Sequence, residues 1–299
     1  MSFDLYFYKR KDSTITEQDI AEYLSQNLPF NNSEHTKQWC YENPETGVYF
    51  LIHWNEINND PEYIKSFDSF EEFKYLNFSF SINFYRPTFF GIEIFPVIEK
   101  FINSLELHVL DPQDENDPNN PHKFPSGYFQ EQWTRHNNGV TLDSFEKFKF
   151  EYLPLEISNY LWLYQYHRQD LQTILGDNIF VTGFFVLKNK EDGKLYTACV
   201  WPQHIPIILP QVDYLIVQKK YSKLFKKFEA SGVIPYKSII NEFKNYFETF
   251  EYIVPNLKLL KPANANKIEK QFNALKLGKA VPDFGTIIPL DRFVNVSSN

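Results

Sequence analysis

The chain is expected to be an α+β protein, with mixed or antiparallel sheets and helices packed against them. Three features carry that expectation. Residues 1–110 read as strand–helix–strands–helix–strand, which suits a compact sheet with helices on one face. Further along, two apolar runs flank Asn189-Lys190-Glu191-Asp192-Gly193, a polar connection ending in Gly that marks an antiparallel hairpin. Finally, 30 Phe, 19 Tyr and 5 Trp among 299 residues supply large rigid apolar surfaces for a core, a pocket or a binding face.

Phe3 to Lys9 is the first expected strand. Thr16 then suits an N-cap, because its hydroxyl can satisfy an exposed helix N–H. Asp19 follows three positions on and makes a short version of the Glu/Gln capping box. Ile20, Tyr23 and Leu24 form one helical face, and Pro29 discourages continuation. Trp39–Tyr41 and Val48–Trp54 read as strands around the turn residues Asn43-Pro44-Glu45-Thr46-Gly47. A short helical or irregular insertion is expected over 58–75. Phe78, Phe80, Ile82 and Phe84 alternate with Ser79, Ser81, Asn83 and Tyr85, the period of a half-buried strand. Pro96 opens the clearest part of a second helix, and Leu107–Leu110 returns as an edge strand. A ferredoxin-like arrangement accommodates this order, with strand order left open.

Asp111 to Gly127 carries repeated Pro and polar residues that break helices and central strands. The expected domains are therefore 1–115 and 128–299, joined by a Pro/Asn-rich connection over 116–127. The second unit is expected to contain a long helix over 155–174, stopped by Gly176. Strands are expected at 179–188, 194–201 and 212–217, and helices at 221–230, 236–250 and 264–275.

Charge and composition exclude several classes. With 38 acidic and 30 basic side chains the formal charge is -8, a field that repels phosphate backbones and favours basic partners, so nucleic acid is not expected as a ligand. Two cysteines, Cys40 and Cys199, cannot build a disulfide scaffold or a cysteine metal cage. Charged residues interrupt the apolar positions of residues 1–15, so no secretory h-region is read there. No apolar run approaches the roughly 20 residues of a membrane helix. The expected location is the cytoplasm.

Chemical motifs are weak. The histidines form no His-Glu-x-x-His unit, and His122, Asp114 and Asp117 lack a closed coordination spacing; no metal or cofactor is assigned. His167 and Asp170 lie three apart on an expected helix, where an Asp can orient a proton-moving imidazole, although no nucleophile or oxyanion donor accompanies them. No catalytic residue is assigned. A pocket for a small ligand or an acid–base reaction would form at Trp201, Gln203, His204 and Gln211, where Trp201 offers an apolar wall and the others polar contacts. Covalent chemistry by Cys199 with His204 would need a stabilised thiolate. Lys219, Lys220, Lys223, Lys226 and Lys227 alternate with an apolar stripe and read as the solvent face of an amphipathic helix.

The opening Met-Ser-Phe-Asp-Leu-Tyr-Phe-Tyr and the segment Phe89-Phe90-Gly91-Ile92-Glu93 resemble uncharacterised bacterial proteins, a group taken to include immunity partners of polymorphic toxins. The resemblance covers residues 1–110. It implies an interaction protein that blocks a toxin by occluding its active region, not a catalyst. An exposed face at Phe89, Phe90 and Glu93 would then exclude water while acidic groups meet a basic toxin. The expectation is protein recognition first, with a C-terminal small-ligand or acid–base site as the alternative. Oligomeric state is left open.

Overall fold

The computed structural model describes residues 1–29, 37–67, 69–223 and 226–297, with the side chains at 63, 65, 66, 221–223 and 226–228 outside the description. The fold is α+β and divides into two compact units, Met1–Phe150 with Val294–Asn299, and Glu151–Phe293. The division falls at 150/151, beyond the Pro/Asn-rich tract expected to form it.

In chain order the first unit comprises β1 (Ser2–Arg10), α1 (Glu17–Asn27), β2 (Gln38–Glu42), β3 (Tyr49–Trp54), α2 (Pro61–Phe67), β4 (Phe73–Asn83), α3 (Phe89–Ser104), β5 (His108–Leu110) and α4 (Tyr128–Phe148). The five strands form one antiparallel sheet in the order β2-β3-β4-β1-β5. Setting β2 aside at its edge, α1 links β1 to β3 and α3 links β4 to β5 across the sheet, the split β-α-β arrangement of ferredoxin-like units. Both helices share a face, since Tyr23 of α1 and Phe101 of α3 lie 5.7 Å apart. Thr16 closes the expected capping box with Asp19, and Ile20 and Leu24 are buried.

Strand alternation places Phe3, Leu5 and Phe7 of β1 toward α3. A register irregularity between Tyr6 and Tyr8 accompanies a second, smaller aromatic cluster, in which Tyr8 packs with Tyr75, Leu110 and Phe70. The central ring is Phe95 of α3. Its centroid lies 5.8 Å from Phe3, 5.9 Å from Phe80, 6.2 Å from Trp133 and 6.4 Å from Phe129. Gly91, one turn earlier, is required there: a Cβ at that position would lie 2.7 Å from Cε3 of Trp133.

Two differences from expectation concern these helices. α3 begins at Phe89 and carries Pro96 inside it, seven residues later than its start. The α4 helix has no counterpart among the expected elements. Its helical state depends on tertiary contacts. Phe129, Trp133, Asn137 and Thr141 recur every four residues and are all buried. Asn137 also replaces lost strand partners, accepting from Tyr85 N (2.8 Å) and donating to Arg86 O (2.9 Å). This packing assigns 128–148 to the first unit.

The second unit comprises β6 (Glu151–Tyr152), α5 (Leu155–Tyr166), α6 (Arg168–Leu175), β7 (Phe180–Val181), β8 (Phe184–Asn189), β9 (Leu195–Pro202), β10 (Ile207–Leu209), β11 (Tyr214–Lys223), β12 (Lys226–Pro235), α7 (Tyr236–Glu242), β13 (Phe247–Phe250), β14 (Leu257–Leu260), α8 (Pro262–Ala274), α9 (Val281–Phe284) and β15 (Gly285–Ile288). A last strand, β16 (Phe293–Val294), follows. One sheet runs β12-β11-β9-β8-β15, with β9 and β11 parallel; a second runs β13-β14-β10-β7. The β8–β9 hairpin forms as expected around Asn189–Gly193.

Three expected helices change. The 155–174 helix breaks at His167 into α5 and α6. The 236–250 helix stops at Glu242, and Phe247–Phe250 becomes β13. Residues 221–223 and 226–230 belong to the antiparallel strands β11 and β12, with Lys219 opposite Ala230. Lys219 is buried, not solvated: its Nζ donates to Asn273 O (3.0 Å) and to Leu275 O at the C-terminal end of α8, where a cation meets the negative helix end. Lys220 pairs with Glu229 (3.0 Å) on the surface. The side chains of Lys223, Lys226 and Lys227 lie outside the described residues. The outer edge of β12 is met by the 277–279 segment, where Val233 N donates to Lys279 O (2.9 Å). A Cβ on Gly278 would fall 2.2 Å from Val233 O, so glycine is needed for that approach.

Phe95→Ala is expected to lower the stability of the first unit by about 3–5 kcal/mol, as loss of a fully packed ring does. Urea denaturation checks this; a midpoint within error of the parent protein would overturn the central role of that ring.

Candidate functional site

The residues expected to form an exposed interface are interior. Phe89 and Phe90 are 0% and 1% exposed, and Glu93 is 5% exposed. They pack α3 onto the sheet, with the Phe90 ring edge-on to Tyr49. The Glu93 carboxylate is held by the β2–β3 hairpin: Tyr41 Oη and Asn43 Nδ2 each donate to Oε1 at 2.7 Å, and Thr46 Oγ1 at 3.0 Å. This is a buried anchor for the helix, and a face built on these three residues is excluded.

The expected C-terminal pocket also disperses. Trp201 is wholly buried among Phe243, Phe247 and Phe272, and its indole N–H donates to Ile205 O (3.2 Å). Gln203 turns the chain in a left-handed conformation, with its N–H on Gln218 O (2.7 Å). The His204 ring lies 6.2 Å from Phe272. Gln211 lines an open groove of the second unit. Cys199 is fully buried, and burial pushes its thiol well above the usual range, which withholds the thiolate that covalent chemistry needs.

His167 and Asp170 do meet, with Nδ1 and Oδ2 3.2 Å apart, at the break between α5 and α6. The ring is flanked by Tyr166 and Tyr252, and the pair does not line the groove described below. His122 Nε2 lies 3.5 Å from Asp114 Oδ2, whereas Asp117 accepts from Asn120 Nδ2 (2.7 Å). Among the described residues no three His, Cys, Asp or Glu side chains converge as a metal set. Beside His122 and Asp114, Asp111 is fully buried; Oδ1 accepts from Gln113 N (2.8 Å) and Oδ2 has no hydrogen-bond partner among the described residues. Burial raises its carboxyl from 3.8 to about 6, and the charge of Asp114 adds to this while Gln113 N–H and His122 oppose it.

The second unit carries an open groove of about 680 Å³. It lies between the first turn of α5, the strands β9 and β11, and the start of α7, and the rings of Tyr160, Tyr196, Tyr214 and Tyr236 line it. Parallel pairing of β9 with β11 sets Tyr214 opposite Ala198 and brings the Tyr196 and Tyr214 rings edge to face at 5.4 Å. Asp213 ties the groove together. Its Oδ2 accepts from Thr197 N (2.8 Å) and Thr197 Oγ1 (2.9 Å), and its carbonyl accepts from Tyr236 N (2.9 Å). Tyr160 Oη accepts from Gln211 N (2.8 Å) and donates to Pro255 O (3.2 Å). Burial lifts the Tyr160 phenol to about 12, so it stays protonated.

Tyr236 is 7% exposed, lines the groove, and makes no side-chain hydrogen bond among the described residues. Burial pushes its phenol above the usual range. Glu156, Asp213 and Lys237 also line the groove, all three are exposed, and no ion pair engages them among the described residues. Two carboxylates against one ammonium, set among four phenol rings, suit a cationic or planar group. The sequence concealed this site because its residues span 156–237 and come from separate strands and helices. Gln211 alone had been anticipated.

Compared with protein-family models, curated proteins and solved structures, the chain matches none.

Iodoacetamide is expected to leave Cys199 unmodified in the folded protein and to alkylate it in urea; peptide mass mapping that finds rapid labelling without denaturant would contradict its burial. A second expectation concerns pH. The Asp111 carboxyl titrates higher folded than unfolded, so its contribution is full below about pH 3.8 and is lost as pH rises through about 6. Asp111→Asn should therefore raise stability near pH 7.5 by on the order of 2–3 kcal/mol, a gap that closes toward pH 4. Urea midpoints at both pH values check this, and a gap independent of pH would refute it.

Proposed function

We propose that this chain is a protein-recognition module that holds a basic partner in the tyrosine-lined groove of its second unit. The observation that carries this reading is the pairing of four tyrosine rings with two carboxylates that no ion pair engages among the described residues. Tyrosine offers large contact area with little conformational entropy to lose, and it is enriched where interfaces concentrate their binding energy. The formal charge of -8 speeds encounter with a positively charged partner. The resemblance of residues 1–110 supplies the biological setting: a cytoplasmic bacterial protein that neutralises a toxin by occluding its active region. The groove supports that setting only as a place where a basic surface can be gripped.

A small-ligand reading rests on the groove's size, which falls within the roughly 300–1,000 Å³ of small-molecule sites. Native mass spectrometry after gentle purification from the original host separates the two. A stoichiometric protein complex is expected, and identification of a toxic enzyme in it would make neutralisation the leading role. A reproducible small-molecule mass without a protein partner would replace this reading by the second. For the complex, Glu156→Lys is expected to weaken binding roughly tenfold and to leave the fold intact, because the side chain is exposed in the first turn of α5. Unchanged affinity would remove the groove from the interface.

A further inference from the structure

Resting on the recognition reading, we propose that the groove receives an arginine side chain presented by an extended segment of the partner. Four features specify this chemistry together. The half-buried rings of Tyr160, Tyr196 and Tyr214 line the groove, and a cation over the face of such a ring is attracted by its quadrupole. The Asp213 carboxylate is pre-oriented, because Thr197 fixes Oδ2 through two hydrogen bonds while the residue remains exposed. Glu156 provides a second negative charge at the rim. Tyr236 is more than nine-tenths buried, and its hydroxyl, without a protein partner among the described residues, is an acceptor for a donor entering the groove.

Arginine fits this set better than lysine. Its guanidinium is planar, so it stacks on a phenol ring and still directs N–H groups in the ring plane toward carboxylate and hydroxyl oxygens. An ammonium is a compact, strongly hydrated charge, and three rotating donors gain less from a slot walled by flat rings. Lys237, also at the rim, disfavours a second cation there and suits a backbone carbonyl or a carboxylate of the same segment. The occupant is thus one arginine with little positive charge beside it, not a polybasic run.

The test titrates the full chain with acetyl-Gly-Gly-Arg-Gly-Gly-amide and with the same peptide carrying citrulline or lysine. Calorimetry or tyrosine fluorescence reads binding. Citrulline keeps the planar shape and removes the charge. The arginine peptide is expected to bind roughly tenfold more tightly than the citrulline form, and more tightly than the lysine form. Tyr236→Phe and Glu156→Gln should each weaken it several-fold, with unchanged circular dichroism and melting. Equal binding of arginine and citrulline peptides, no binding of the arginine peptide, or affinity unaffected by both substitutions would overturn the inference. A host partner that stays bound in excess arginine peptide would overturn the arginine assignment and leave recognition standing. Arginine-peptide binding in a protein that captures no partner would do the reverse.

Discussion

Much of the first unit follows from the contact of one ring, Phe95, with rings on three other elements. Phe3 and Phe80 reach it from adjacent strands of the sheet, and Phe129 and Trp133 reach it from α4. Apolar contact of this kind stabilises without direction, since it scales with area removed from water. Direction comes from Glu93, two residues away. Its Oε1 accepts from Tyr41, Asn43 and Thr46 of the hairpin, so the helix cannot slide along the sheet without breaking three hydrogen bonds to a buried polar group. The aromatic contacts hold α3 down, and the carboxylate fixes its register.

The same pair of constraints explains what could be read from the chain and what could not. Alternation at Phe78, Phe80 and Ile82 and the Thr16–Asp19 cap depend on neighbours a few residues away, and both formed as expected. The α4 helix was invisible because its propensity is poor around Asn137 and Gly139, and its stability comes from Phe95, Gly91 and the Tyr85–Arg86 backbone in another part of the sequence. The lysines from 219 onward misled for a related reason. Their spacing mimics a helix face, yet Lys219 finds its role only when the distant end of α8 arrives to be capped. Phe89 and Phe90 read as interface rings and Trp201 as the wall of a pocket, but large rings satisfy a core and an exposed site equally well, and only burial distinguishes the two.

The groove of the second unit is held rigid without being deep. Its floor is a parallel strand pair, and the Asp213–Thr197 contacts tie the loop before β11 to β9 through main-chain and side-chain bonds together. Tyr160 is likewise held at its hydroxyl by donors and acceptors from two loops. Side chains immobilised in advance lose little freedom when a ligand arrives, which is where a small site gains affinity. Glu156 and Lys237, by contrast, sit in first helical turns and remain free to adjust.

The 277–279 segment beside β12 has a consequence for the protein in a crowded cell. A five-stranded sheet with a bare margin offers unpaired N–H and C=O groups to any neighbouring chain in a similar state. Here Lys279 occupies the N–H of Val233, and the backbone around Gly278 presses too close to the strand for an intruding strand to lie alongside it. A bulkier residue at 278 would push this cover away while leaving the sheet itself intact. The result would be a well-folded chain with an adhesive margin, whose fault would show as self-association during overproduction instead of as a lower melting temperature.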